Sequence, residues 1–415
     1  MVKPSSNRTF STIPNDAFTG ATAMKRFISQ TFRIFLSVAA SAVLACPFAL
    51  AQDVAPVVDI SQDEFRQVVV AAGTRDVYQG HPYLVKNPDD SMLLVWNIGH
   101  GGFAGPIAES DDGGLTWNRL DSGAPEGYKK HKNCPSVYRL VGADGKVWHW
   151  VFTSQPWIAR IVSGDGGKTW EEKESLGFAN VMAFSSIIPK RPGIQDGCYL
   201  GFFHRRRAAD GRVLNEEPPE KGRLEVVLSE TKDAGFTWSE PRLVGFVDNR
   251  NLCEPFAFWS PDGGEICCIM RENTHKDRSM VMYSQDGGES WTTPQKTSWE
   301  LTGDRHIGVQ IGDDRFFIAF RDQAPDSKTR GHFVGWVGSY EDIKEGRPGE
   351  YRVKLLHSYS GWDCGYPGVA LLSDGTVIAL TYVKYRDDDA KHSIVETRFK
   401  MDELDEKARE ARNAE

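Results

Sequence analysis

The sequence predicts an all-β protein, a six-bladed β-propeller with a recurrent aspartate turn, and three observations carry that prediction. An eight-residue turn is written four times: SDDGGLTW at Ser110–Trp117, SGDGGKTW at Ser163–Trp170, TKDAGFTW at Thr231–Trp238 and SQDGGESW at Ser284–Trp291. From tryptophan to tryptophan the copies lie 53, 68 and 53 residues apart, within or somewhat beyond the spacing of propeller blades. Each copy follows the same pattern of strands, and helical periodicity is nearly absent before the charged C-terminus.

In each unit two β-like runs separated by a Gly/Asp turn come first, and a third run then feeds the aspartate turn. The first unit reads HPYLV, SMLLVWN and PIAES; the fourth reads EPFAFWS, EICCIMR and RSMVMYS. The runs are short, rich in β-branched and aromatic residues, and bounded by turn formers. Aligning the first strands gives six starts, at Gly80, Asn133, Val181, Leu252, Asp304 and Cys364. The fifth and sixth units lack a clean aspartate turn. Six units of about four strands, with no helices between them, make a six-bladed propeller. The turn then has a mechanical role: its Ser and Asp side chains bond neighbouring backbone, glycine supplies positive φ, and the tryptophan plugs between blades. QDEFRQVVVAAG near the start and HSIVETRF near the end are placed to close the ring.

The remaining boundaries follow from composition. The chain has 415 residues, a formal net charge of −8, 26% charged and 40% hydrophobic residues, an ordinary soluble globular balance. That acidic balance gives no reason to expect nucleic acid or an anionic membrane as partner. Residues 1–51 read as an N-terminal extension and signal peptide. Met24-Lys25-Arg26 opens a basic region, IFLSVAASAVLACPFAL supplies the apolar stretch, and Ala49–Ala51 offers small residues for cleavage before Gln52. A membrane anchor fits less well because the apolar run is short. The expectation is a secreted or periplasmic protein, with a signal over about 24–51 and no stable membrane insertion after its removal. Residues 52–60 read as a linker, 61–400 as the propeller and 401–415 as a charged tail. Cys46 leaves with the signal, and nothing among the other cysteines resembles metal-ligand spacing. No metal or other cofactor is expected. Export permits disulfides, but the spacing declares none.

Function has to be read from one level of the propeller. The beginnings of first strands and the ends of second strands converge on the mouth of the central channel. At the starts stand His81, Asn133 or Cys134, Met182, Glu254, Arg305 with His306, and Tyr366. At the ends, in matching register, stand Asn97, Thr153, His204, Arg271, Arg321 and Tyr382. A solvated rim would scatter its charges over different heights. A buried polar network across the blades is the structural alternative.

Four Asp boxes on an exported six-bladed chain resemble the sialidase superfamily, over roughly residues 60 to 400, with this chain a divergent member. The boxes specify the fold more than the function, since lectin-like and signalling propellers carry them too. CEPFAFWSPDGGEICCIMREN resembles the segment in which Glu254 would sit beside the nucleophile and Arg271 would grip a carboxylate. CGYPGVALLSDGTVIALTY resembles the segment of the catalytic tyrosine, which makes Tyr366 the candidate nucleophile; sialidases use tyrosine in place of a carboxylate. A phenol with pKa near 10 needs help at neutral pH, and Glu254 would take its proton. Arg271 and Arg321 suit bidentate carboxylate binding. Arg305, His306, His81, Asn97, His204, Tyr382 and Arg160 complete the expected binding set.

Two departures stand against the family pattern. Its first arginine falls at Gly80-His81-Pro82, and the glutamate that braces that arginine falls at Tyr382, so the two are missing together, as in a remodelled pocket. Its acid/base aspartate falls in the loop NIGHGGFAGPIAE, whose first titratable group is His100; a histidine serves as acid or base near neutral pH. The resemblance thus implies a secreted, sialidase-like exo-glycoside hydrolase that removes a terminal acidic sugar, sialic or uronic, from a glycan. Two other readings stay open. One is a propeller-fold polysaccharide lyase or rhamnosidase acting on uronate-containing glycans through His81, His100, His149 and Arg160. The other is a carbohydrate-binding propeller without catalysis. A blade-three insertion, Arg205–Arg223, either walls the pocket and favours action on chain ends or is a solvated charged loop.

Overall fold

A computed structural model of the chain describes residues 55–214 and 222–414; the expected signal peptide lies outside the described residues. Six antiparallel sheets form the blades. Their first strands are Gln79–Lys86, Ser136–Val141, Met182–Pro189, Leu252–Trp259, Gly303–Gln310 and Cys364–Leu371, in the order and places the sequence predicts. Second strands are apolar almost throughout because neighbouring blades cover both of their faces. In Ile266–Glu272, every residue from Ile266 to Met270 is fully buried. The ring is closed by Gln67–Ala71, which pairs antiparallel with Ser393–Lys400 and sets Val69 opposite Val395.

Three boundaries need correction. Val57–Asp59, assigned to the linker, is a strand that pairs in parallel with Tyr351–Leu356 as a fifth strand of blade five, with Val58 and Ile60 buried. Met401–Ala414, assigned to a charged tail, is an α-helix whose Leu404 and Ala408 are buried in the blade-five core. Those two apolar residues, four apart among charges, make one narrow stripe. A short helix, Tyr340–Glu345, also interrupts a chain expected to have none between blades. Ser339 and Asp342 form its capping box, and Tyr340 and Ile343 pack into the core shared by blades four and five. It occupies the position in blade five where four other blades carry the aspartate turn.

Those four turns share one construction. Asp112, Asp165, Asp233 and Asp286 each accept from the Ser or Thr hydroxyl two residues earlier, at 2.7–2.9 Å. Each also accepts from a backbone N–H four residues on. The tryptophan indoles donate to the carbonyls of Gly114, Gly167, Gly235 and Gly288. These glycines hold φ between 89° and 98°. A Cβ on them would strike Glu396, Leu93, Trp150 and Leu200 respectively, each on the preceding blade. Only glycine satisfies both demands, which is why the turn recurs so faithfully. Strand direction puts these turns on the face opposite the channel mouth.

At the mouth a second repeated device aims the functional side chains. Five first strands carry an irregularity just after the register position, between Gly80 and Tyr83, Met182 and Ser186, Cys253 and Phe256, Asp304 and Ile307, and Gly365 and Gly368. Such bulges re-aim side chains. Four residues in them adopt left-handed backbone, His81 (φ 45°), Glu254 (50°), Arg305 (55°) and Tyr366 (58°). In blade two Asn133 (66°) and Cys134 (46°) do so just before the strand. Left-handed non-glycine residues cost on the order of 1 kcal/mol or more each and persist where the fold over-determines them.

Candidate active site

The strained positions surround a cavity of about 210 Å³ at the channel mouth, lined among others by His81, His100, His204, Glu254, Arg271 and Tyr366. The Tyr366 hydroxyl donates to the Glu254 carboxylate. Arg271 Nη1 donates to both oxygens of that carboxylate, at 3.0 and 3.2 Å, and Arg271 Nε lies 2.8 Å from Asp304. His204 Nδ1 accepts the Glu254 backbone N–H at 3.3 Å. The His81 ring stands 4.6 Å from that of Tyr366 and 4.7 Å from that of His100, edge-on in both cases.

Electrostatics sort these groups by protonation. Burial is the largest influence on Glu254 and would raise its pKa, but the Arg271 and Arg305 guanidinium groups and the Tyr366 hydrogen bond together hold the carboxylate below its usual range. Burial and the Glu254 charge together push the Tyr366 phenol well above 10. The resting couple is therefore phenol and carboxylate. Burial lowers His81 and His204 to about 3, so both imidazoles are neutral at physiological pH. His100 is the exposed member, with its side chain 58% accessible and Nδ1 at 3.3 Å from Asp363 Oδ1. Burial would raise Asp363, but His100, His392 and Tyr78 around it hold it at about 2.

Of the predicted set, the structure brings Tyr366, Glu254, Arg271, His100, His81 and His204 to this cavity. Asn97 and Tyr382 stand behind it: Asn97 Oδ1 is 3.0 Å from His81 Nδ1, and Tyr382 is buried with its hydroxyl 3.4 Å from Asp363. The other members need correction. Arg321 is committed to Asp304 and to the carbonyls of Trp362 (2.7 Å) and Cys364 (2.9 Å), so it braces a loop rather than facing a ligand. Arg305 lies buried along the channel, bonded to Ser185 and stacked near the Tyr83 and Tyr366 rings. His306 follows it in the strand, where alternation turns the ring away to the Leu301 carbonyl and Phe320. Arg160 belongs to a third strand, far from the axis, and braces the blade-three turn through the Gly235 and Phe236 carbonyls. His149 bonds Asn87 at the other end of its strand. The His81–His100–His149–Arg160 set is thus divided.

Sequence reasoning missed the two aspartates that organise the site. Asp304 binds Arg271, Arg321, His275 and Gln323 with one carboxylate, and its pairing with Arg321 across the sheet was the available signal. Asp363 holds His100, within a loop that reads as a plain turn. Arg206, within the blade-three insertion, and Leu224, just beyond it, line the cavity.

A ring of six blades closed by an N-terminal strand, with polar residues gathered at one mouth, is similar in fold to the sialidase propellers. The chain belongs to the BNR repeat-like domain family, which matches residues 128–378. No curated protein matches it in sequence. Among solved structures, a protein of unknown function from Dyadobacter fermentans superposes with a TM-score of 0.57 at 14% identity, covering 80% of this chain and 97% of that one. An α-L-arabinofuranosidase from Fusarium graminearum, solved with an iminosugar inhibitor, gives 0.55 at 12% identity over 82% of this chain and 99% of that one. A Hadza microbial sialidase gives 0.51 at 16% identity over 81% and 69%. At these identities the likeness is one of fold.

Proposed function

We propose that the protein is a secreted, exo-acting glycoside hydrolase that removes a terminal acidic sugar from a glycan, with Tyr366 as nucleophile. The observation that carries this reading is the Tyr366 hydroxyl bonded to the Arg271-paired Glu254 carboxylate at the floor of a cavity. As Tyr366 Oη attacks the anomeric carbon, its proton passes to Glu254, while protonated His100 gives its proton to the departing glycosidic oxygen. In the second half, neutral His100 takes a proton from water, the water displaces Tyr366 Oη, and Glu254 returns the phenol's proton. A phenol in place of a carboxylate avoids repulsion by an acidic sugar.

The cavity volume is below the ~300–1,000 Å³ typical of pockets for drug-sized ligands, which suits one sugar ring and action at a chain end. Arg271 and Arg206 line the cavity; Arg271 already meets Glu254 and Asp304, whereas Arg206 has no ion pair among the described residues. A carboxylate meeting one or two arginines suits a uronic acid at least as well as sialic acid. The test is a screen of the purified protein against sialosides and uronate-capped and rhamnose-capped oligosaccharides, with Tyr366→Phe as control. Release of a single reducing sugar, lost in the Phe variant, supports the reading. An unsaturated product would replace it with a lyase, and the absence of any turnover with a binding propeller.

A further inference from the structure

We propose that a second cavity, beside Trp362, is the subsite for the leaving-group sugar of an acidic oligosaccharide; this rests on the hydrolase reading above. The cavity, about 540 Å³, is lined by His275, Gln323, Arg330, Gly331, Gly361 and Trp362. His275 and Gln323 follow the second strands of blades four and five, and Trp362 precedes the first strand of blade six. Strand direction therefore places all three at the same mouth as the catalytic cavity.

Contacts of their lining residues connect the two cavities. His275 reaches Arg271 at 3.2 Å and Asp304 at 2.9 Å. Asp363, which carries His100, is the residue after Trp362. The side of the catalytic cavity on which His100 would protonate a departing oxygen is thus the side that faces Trp362. A glycan with its terminal ring over Tyr366 has its next ring directed there.

Trp362 is 67% exposed, yet its loop is anchored. Its carbonyl and that of Cys364 accept from the buried Arg321. Gly331 (φ 82°) packs so close that a Cβ there would lie 3.3 Å from the Trp362 nitrogen. A lone exposed aromatic needs no explanation; one fixed on the lip of a cavity next to an uncompensated cation does. Arg330 donates to the Pro325 carbonyl at 3.4 Å and meets no carboxylate at ion-pair distance among the described residues. A pyranose offers a face of C–H groups to the electron-rich face of an indole. Its hydroxyls find Gln323 and His275, and a carboxylate on it finds Arg330.

The test uses calorimetric titration of the Tyr366→Phe protein, which leaves ligands intact. The probes are tri-galacturonate against methyl galacturonoside, and 3′-sialyllactose against methyl sialoside. In the series that binds, the oligosaccharide is expected to bind at least about tenfold tighter than its methyl glycoside. Adding Trp362→Ala brings that ratio to about one, while Trp362→Phe keeps most of it. Arg330→Met lowers the ratio for tri-galacturonate, whose second ring is charged, more than for sialyllactose. A ratio that survives Trp362→Ala overturns the subsite. Failure of both methyl glycosides to bind is a different result, which refutes the terminal-sugar reading and the subsite with it.

Discussion

Replacing Asp304 with asparagine tests the arrangement beneath the cavity without needing a substrate. The side chain keeps its shape and loses its charge. Asp304 is 1% exposed and meets four partners: Arg271 as an ion pair at 2.8 Å, His275 at 2.9 Å, Arg321 Nε at 3.0 Å and Gln323 at 2.9 Å. Removing one partner of a buried ion pair costs about 3–5 kcal/mol, because the other charge is left uncompensated. Arg271 keeps Glu254, and Arg321 keeps two carbonyls but no anion, which puts the expected loss at the lower end, about 3 kcal/mol. With an unfolding entropy of roughly 2 cal/mol/K per residue over about 360 residues, that is a melting-temperature drop on the order of 4 °C. Arg271 and Arg321 hold the Asp304 carboxyl far below its usual range against the opposing effect of burial. Its stabilising effect is therefore present above about pH 4, the unfolded value, and fades as pH falls through and below it. The gap between wild type and variant should be full at pH 7 and narrow toward pH 3. Calorimetric melts at both pH values measure it. A variant melting within 1 °C of wild type at pH 7, or a gap of constant size, refutes the account of Asp304 as the counter-ion of both arginines.

Three further outcomes can be measured. Tyr366→Phe and Glu254→Gln should each lower turnover about 10²–10⁴-fold, the usual worth of a positioned proton-transfer group. The double variant should be no slower than the worse single one; additive losses would mean that the two do not act as a couple. His100→Ala should slow natural glycans by a similar factor and regain much of that loss on an aryl glycoside with a good leaving group; equal losses on both would move the acid elsewhere. Glu396 is buried beside the blade-one turn, and burial pushes its pKa up to about 7 despite Arg398. As an acid with a raised folded pKa, it contributes stability below about pH 4.5 that is lost as pH rises through 7. Glu396→Gln should gain on wild type by up to about 3 kcal/mol between pH 5 and pH 8, from 1.36 kcal/mol per unit, and parallel melting curves would refute the shift.

The parts of this molecule legible in its sequence are those that repetition enforces. The aspartate turn recurs because each copy must fit the blade before it, so four copies reveal the repeating unit and its strand register, and the six aligned strand starts then give the blade count. Glu254, Arg271 and Tyr366 were found because each occupies the register position of its blade. Arg305 occupies the same position but is drawn down the channel by Ser185, and His306 shows that alternation past a bulge needs coordinates to follow. Arg160 was misread because a third strand lies too far from the axis to reach the mouth. Asp363 was overlooked since a turn aspartate usually caps its own loop; here it reaches across to blade one, a contact that no local pattern announces. The helix Met401–Ala414 was hidden by its surface, where charges outnumber the two buried residues that dock it.

The pairing of Gln67–Ala71 with Ser393–Lys400 has a consequence for when the active site comes into being. Blade six carries Tyr366, and that blade is completed by a strand made more than three hundred residues earlier. Glu254 belongs to blade four, so the Tyr366–Glu254 contact joins two blades of a ring that is complete only once Gln67–Ala71 docks on the last strand. A chain emerging from its synthesis would have all its side chains and still lack an assembled site until this clasp shuts. The same clasp is an exchangeable element: two chains held close while unfolded could trade their Gln67–Ala71 strands and close each other's rings. Dimers trapped that way would be fully assembled at both mouths, so catalysis alone would not betray them, and only their size would.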